Sequence, residues 1–437
     1  MTPAARLAAA IEVFAAIENE RRPAADALKA WGLTHRYAGS GDRAAIAGLV
    51  YDALRRRASS TFLMQADGPR AVLLGMLRRE RGLSAEAIGR LADGSKYAPE
   101  KLSDDELRHL AVAALDQAPA YVAGDYPQWL DPYFERVFGD ARAEEGAALA
   151  SRAPVDLRVN TLKADRDSAA AALSDLEPEP TRWSPWGLRI RLSADAKSPA
   201  IHAEPAFLKG TIEVQDEASQ LAALFSAARP GEQVVDLCAG AGGKTLALAA
   251  MMENKGQIFA TDDDKRRLAP IHDRLKRSGA RNVQVRTPKS IGRELDDMTG
   301  RTDLVLIDAP CTGTGAWRRN PDAKWRMRPG AIEQRQKEQA EVLDRSVALL
   351  KPGGRIAYVT CSVLDEENGA QVRAFVARHA GFTIERPSKV AQALGERAFM
   401  FSKAARLSGE GILMTPHLTD TDGFFVAVLR HAPAGAL

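Results

Sequence analysis

Cysteine is scarce: the 437-residue chain has three, Cys238, Cys311 and Cys361. Three isolated thiols make a poor disulfide framework and fit a reducing compartment, so a cytoplasmic location is expected. The seven histidines are scattered. No Cys-x-x-Cys or His-x-x-x-His pair suggests a metal, and none is expected. Long apolar runs are also missing. Leu7 to Ala16 is interrupted by Glu12 and is far too short to span a bilayer. No signal-peptide cleavage pattern follows it, and no membrane association is expected. Nor does charge of one sign dominate. A formal charge of +3 does not by itself indicate nucleic acid, so local clustering has to carry that question.

What is present reads as an ordinary soluble protein, with 45% apolar and 27% charged residues. A chain of this length exceeds one typical core and implies two or three domains. Residues 1–125 predict an all-helical domain, Ala- and Leu-rich and without strand-like runs. Asp42 reads as the N-cap of a helix running to Arg55–Arg57. Ser103 and Glu106 form a capping-box pattern. Pro119 to Trp129, rich in Pro, Gly and Tyr, reads as a linker. Residues 126–214 read as linker helices and a small α+β segment, with strand character at Leu157–Leu162 and Leu188–Leu192 around a helical 166–175. From residue 215 to 437, strands alternate with helices, the signature of a parallel α/β sheet. The expected strands are 233–238, 257–261, 282–286, 303–308, 355–360 and 424–429.

Each cysteine closes one of these apolar runs. In an open α/β sheet the carboxyl ends of the strands line the ligand crevice, so three thiols at strand ends can share one site. A thiolate is a strong nucleophile near neutral pH. The first run enters Cys238-Ala239-Gly240-Ala241-Gly242-Gly243-Lys244, a Gly-rich turn leading into a helix. Such a turn lets backbone approach a ligand and offers unpaired amides. It is not a phosphate loop of the Walker type, because Cys238 stands where that spacing needs glycine. A plain tight turn is the bland alternative. Asp262 ends the second run, about 20 residues on, where an acid can bond ribose hydroxyls or simply favour a helix start. The fourth run ends in Asp308-Ala-Pro-Cys311. Beyond it, Arg318, Arg319, Lys324 and Trp325 interleave cations with aromatics, as phosphate contact and base stacking require. The bland alternative is an exposed basic loop.

These motifs resemble the RsmB/Sun family of RNA cytosine-5 methyltransferases. The matching pieces are Asp236-Leu-Cys-Ala-x-x-Gly-Gly-Lys-Thr, Asp308-Ala-Pro-Cys-x-x-x-Gly, Arg318-Arg-x-Pro-Asp-x-Lys-Trp, Thr360-Cys-Ser-Val-x-x-Glu-Glu-Asn and Asp422-Gly-Phe-Phe-x-Ala. Together with Gln215-Asp216-x-x-Ser219-Gln220 they cover most of 215–430 in order. Leu157-Arg-Val-Asn-Thr resembles the family's small RNA-binding segment, and the N-terminal helices resemble its NusB-like RNA-binding domain. The resemblance implies a class I, Rossmann-like methyltransferase domain with S-adenosyl-L-methionine as donor. Cys238 to Lys244, Asp262 and Asp308 would bind the donor. Cys361 would be the nucleophile, Cys311 the product-release thiol, and Asp308 a neighbour of donor and base. The implied substrate is RNA, with ribosomal RNA favoured by the NusB-like resemblance, and a monomer is expected. A transfer-RNA enzyme, or a non-catalytic RNA-binding assembly factor, are the alternatives. An amino-group methyltransferase would carry an aromatic residue where Cys311 stands. The chain departs from the family at Gly240-Ala241, commonly Ala-Pro, and at Arg286-Thr-Pro-Lys-Ser290, commonly Gly-Asp. The adenine contact would then be missing or fall to Ser290 or backbone.

Overall fold

The computed structural model describes residues 1–112, 114–192, 199–288 and 293–433. The chain divides into two units, and the division is not collinear with the sequence. Met1–Arg152 and Trp317–Pro329 build one; Ala153–Ala316 and Gly330–Leu437 build the other.

The first unit is helical. Its opening helix, Pro3–Glu20, starts with proline at the first turn and Thr2 as cap. Phe14, Val50, Leu73, Leu74 and Met76 are fully buried in its core. The capping box forms, with Glu106 N–H donating to Ser103 Oγ (3.1 Å) and Ser103 N–H to Glu106 Oε2 (2.9 Å). Asp42 is not an N-cap. The helix starts at Ser40 behind Gly39, and Asp42 accepts from the terminal amine (3.2 Å) and from Arg6 (2.8 Å). Nor is Pro119–Trp129 a linker. Asp125 and Tyr126 are fully buried. Asp125 takes bonds from Ser59 N–H and Oγ (both 2.9 Å), and Tyr126 stacks on Phe134. The polar turn is thus absorbed into the helical core, which a Pro/Gly count does not reveal.

The second unit holds two sheets. The small one joins β1 (Val155–Val159), β2 (Glu179–Pro180), β3 (Gly187–Ile190) and β4 (Ile212–Val214) in the order β2-β3-β1-β4, all antiparallel. Its cross-strand partners Asp156 and Arg189 form a buried two-pronged ion pair (2.7 and 2.8 Å).

The large sheet contains β5 (Gln233–Asp236), β6 (Gln257–Ala260), β7 (Val283–Val285), β8 (Thr302–Asp308), β9 (Leu350–Thr360), β10 (Phe382–Ile384), β11 (Arg406–Leu407), β12 (Ile412–Met414) and β13 (Phe424–His431). Its main order is β11-β12-β13-β9-β8-β5-β6-β7, with β10 beside β13. Strands β5 to β9 pair in parallel and β13 runs antiparallel to β9. All six expected strands are present; the central parallel ones are apolar nearly throughout because both their faces are buried. The strand expected at 355–360 begins earlier, at Leu350, and a register shift opposite Thr302–Leu304 absorbs the Pro-Gly-Gly turn. Order reverses beside β5, which pairs β6 on one side and β8 on the other. Ligands of such sheets bind at this switch point, outside the strands' carboxyl ends. Among the described residues no helix is long and apolar enough to cross a membrane, and no cluster of side chains suits a metal ion.

Candidate active site

The Gly-rich turn leaves β5 and enters the helix Gly243–Met251. Gly242 has φ +83°, and a Cβ there would lie 2.5 Å from Ile271, so the turn needs glycine. Leu246 donates the first helical hydrogen bond, to Gly242. The amides ahead of it are the open donors of a helix start. Asp262 ends β6 and is buried. One carboxylate oxygen accepts from Gly240 N–H (2.9 Å), the other from Asp264 N–H (2.9 Å). It therefore shapes the turn from below. Arg274, which the sequence did not single out, holds it from outside. Its guanidinium donates to Ala241 O (2.9 Å) and to Glu213 of β4 (3.0 Å).

Carboxylates gather around this turn. Asp236 is buried; Thr245 Oγ1 donates to its Oδ2 (2.7 Å), while Oδ1 has no hydrogen-bond partner among the described residues. Burial, with the charges of Asp308 and Asp262, pushes its pKa up to about 7. Cys238 lies among Asp236, Asp262 and Asp308, and burial followed by these charges raises its thiol well above the ordinary range. Lys244 reaches from the first helical turn to Asp308 Oδ2 (2.7 Å).

Two of the three thiols meet. Cys311 follows β8 and Cys361 follows β9, and these strands are paired in parallel, with Asp308 opposite Val359. The register brings the sulfurs to 3.3 Å. The hydrogen bond to Cys361, then burial, pushes the Cys311 thiol well up. Cys238 shows no bond to either sulfur among the described residues; its neighbours are the carboxylates. The two thiol loops are fixed by a residue that sequence reasoning quoted without a role. Glu367, fully buried, accepts from Thr312 N–H (2.8 Å), Thr312 Oγ1 (2.5 Å), Ser362 Oγ (2.5 Å) and Gln339 Nε2 (3.1 Å). Glycine closes the far side: a Cβ on Gly315 would overlap Gly423 O.

The basic segment after Cys311 is placed differently from expectation. Lys324 is fully buried and gives its ammonium to Arg55 O (3.0 Å) and Asp125 O (2.5 Å). Burial pulls its pKa down to about 7. Arg318 is buried as well, while Arg319 is half-buried. Trp325 is half-buried, its Nε1 donating to Leu54 O (2.6 Å). These side chains anchor the segment in the helical unit. Lys324 and Arg318 have no exposed surface for a phosphate. Trp325 also lines a cavity of about 530 Å³ with Arg21, Arg57, Arg326 and Arg328. Ser290 lies outside the described residues.

Residues 223–430 match the family described as 16S rRNA methyltransferase RsmB/F, and residues 126–196 match an RsmF/B-like ferredoxin-like domain. The chain is 34% identical over 306 residues to ribosomal RNA small subunit methyltransferase B of Klebsiella pneumoniae, covering 70% of this chain and 65% of the relative. It is 32% identical over 324 residues to the probable ribosomal RNA small subunit methyltransferase B of Synechocystis sp., covering 73% of this chain and 70% of that one. It thus spans about two thirds of the length of these curated relatives. Among solved structures, NSun6 from Pyrococcus horikoshii with SFG superposes with a TM-score of 0.60 at 23% identity, over 70% of this chain and 98% of that one; the likeness is one of fold. With the strand-end motifs in place and these relatives alongside, the chain belongs to the RsmB/Sun family.

Proposed function

We propose that the protein methylates carbon 5 of a cytosine in small-subunit ribosomal RNA, with S-adenosylmethionine as donor. The observation that carries this reading is the 3.3 Å approach of Cys311 and Cys361 at the ends of paired strands. The residues present fit the donor. The helix start after Gly242 offers amides to its carboxylate. In this reading Asp308 meets the donor's positive charge and Asp262, beside the Gly-rich turn, bonds its ribose hydroxyls. A neighbour of the same fold was solved with SFG, an analogue of that donor. When bound, the donor supplies an electrophilic methyl that carbon 5 takes up.

Carbon 5 of cytosine is a poor nucleophile within an aromatic ring. The Cys361 thiolate adds its electron pair to carbon 6, which breaks aromaticity and gives carbon 5 enamine character. A proton shared between Lys244 and Asp308 (2.7 Å) would let Asp308 donate to the ring nitrogen, where negative charge develops. After methylation Cys311, acting in its thiolate form directly or through a water, takes the proton on carbon 5; the carbon 5–carbon 6 double bond re-forms and the Cys361 thiolate leaves with its electron pair. The target base must be unpaired or flipped to reach both sulfurs. The helical unit is the NusB-like RNA-binding part in this reading. RNA phosphates meet it at Arg326 and Arg328, which are exposed at the cavity beside Trp325. The reaction belongs in the cytoplasm.

Two substitutions test the chemistry. Cys361→Ala abolishes methyl transfer to RNA while RNA binding stays near wild type; turnover close to wild type would remove Cys361 from the mechanism. Cys311→Ala accumulates a covalent protein–RNA adduct, seen as a shifted band on a denaturing gel. A confirmed substrate that yields no such band excludes Cys311 as the release thiol.

A further inference from the structure

We propose that Glu367 is a positioning residue that sets the spacing of the two thiols; the assignment rests on the two-cysteine reading above. The two sulfurs belong to loops that leave different strands. Beyond the strands a backbone bond still links the two loops, Gly315 N–H to Cys361 O (2.9 Å), but it lies four residues past Cys311, so the residues flanking the sulfurs need a further tie. Glu367 bonds the residue that follows each cysteine, Thr312 on one loop and Ser362 on the other. Its fourth donor, Gln339, also donates to Pro310 O (2.9 Å), the residue before Cys311. The backbone around Glu367 completes the frame. Tyr358 OH donates to Glu367 O (2.6 Å), and Asn368 pairs with Thr360 Oγ1 (2.5 Å) and Ser362 O (2.9 Å), which flank Cys361. Glu367 and Asn368, with Gln339 bonded to Glu367, therefore pin the residues on both sides of both cysteines.

A neutral acceptor would make weaker bonds. Hydrogen bonds to an ionised carboxylate are shorter and roughly twice as strong as neutral ones. Four donors satisfy the charge where no water reaches it. Among the described residues no hydrogen bond joins Glu367 to either sulfur; its charge reaches Cys311 only through space, as one minor cause that raises that thiol. It acts through Thr312 and Ser362, and the quantity it sets is the distance between carbon 6's nucleophile and carbon 5's base.

The test needs a readout other than methylation. Dibromobimane becomes fluorescent when it bridges two nearby thiols. A Cys238→Ser background leaves only Cys311 and Cys361 to react. With Glu367 intact the reagent bridges them. Glu367→Ala lets the loops part and slows bridging about tenfold or more, while kcat for methylation falls about 100-fold, the scale of a misplaced reacting group, and KM for the donor changes little. Glu367→Gln restores bridging, because the hydroxyls of Thr312 and Ser362 can accept from an amide as well as donate to a carboxylate. Thr312→Val, which deletes one hydroxyl without changing volume, slows bridging in a protein that melts normally. Bridging at the wild-type rate in a folded Glu367→Ala or Thr312→Val protein overturns the assignment. Absence of bridging with Glu367 intact sinks the two-cysteine reading instead, so the two failures are distinct.

Discussion

Asp236 shows how a single carboxyl can hold the balance of a site. Its pKa of about 7 lies well above the ordinary carboxylate range, so the folded protein favours the protonated form. The unfolded chain has already lost that proton above pH 4. Stability from this group is therefore complete at low pH and is lost as pH rises through 7. Asp236→Asn keeps the Thr245 bond and removes the titration. Chemical denaturation at pH 5 and pH 8.5 should show the variant gaining on wild type by about 3 kcal/mol at the higher pH. An unchanged difference at the two pH values would mean that Asp236 titrates normally. The meeting of Cys311 and Cys361 was legible in the sequence because each comes within three residues of the end of a buried strand, and strand ends converge; Asp308 closes β8, and Lys244 opens the helix after the Gly-rich turn. The role of Glu367 was not legible. Its motif was visible, but its partner Thr312 is 55 residues away, and nothing in a linear reading says that two hydroxyls and two amides meet on one carboxylate.

Among elements, the Gly-rich turn depends on a side chain outside its own motif. Arg274 ties Ala241 O to Glu213 on the small sheet, so the turn is braced from a strand before it and a helix after it. Arg274→Ala should release the turn and weaken donor binding about 5- to 30-fold, the loss of one or two charge-assisted bonds, with little change in RNA affinity. Titration calorimetry with S-adenosylmethionine reads this directly; unaltered affinity would show the brace to be idle. The strands were legible because burial on both faces writes itself as continuous apolar sequence. The capping box was legible because it is local. The segment Pro119–Trp129 was misread because its stabilising partners, Ser59 and Phe134, are contributed by other helices. Asp42 was misread because the chain terminus and Arg6, brought near by folding, compete for its carboxylate.

Across the whole molecule, the helical unit is built from two separated stretches. Trp317 stacks on Phe134, Trp325 bonds Leu54 O, and Lys324 bonds Arg55 O and Asp125 O. Cutting the chain to 153–437 would strip these partners and expose two tryptophans. That fragment should aggregate on size-exclusion chromatography, whereas the same fragment with 317–329 replaced by a Gly/Ser linker should elute as a soluble species. Equal behaviour of the two fragments would show that the segment does not need its helical partners. The sequence offered collinear boundaries near residues 125 and 214, since composition does not reveal that a later piece returns to an earlier unit. A timing constraint follows for synthesis in the cell. The helical unit lacks its last side chains until translation passes Pro329, so after Arg152 emerges its folding stays unfinished for roughly 10 to 35 s at ordinary elongation rates. Nascent chains thus carry a gap over Phe134 and Leu54 throughout the making of the first half of the Rossmann-like sheet, a window in which a chaperone has something to hold.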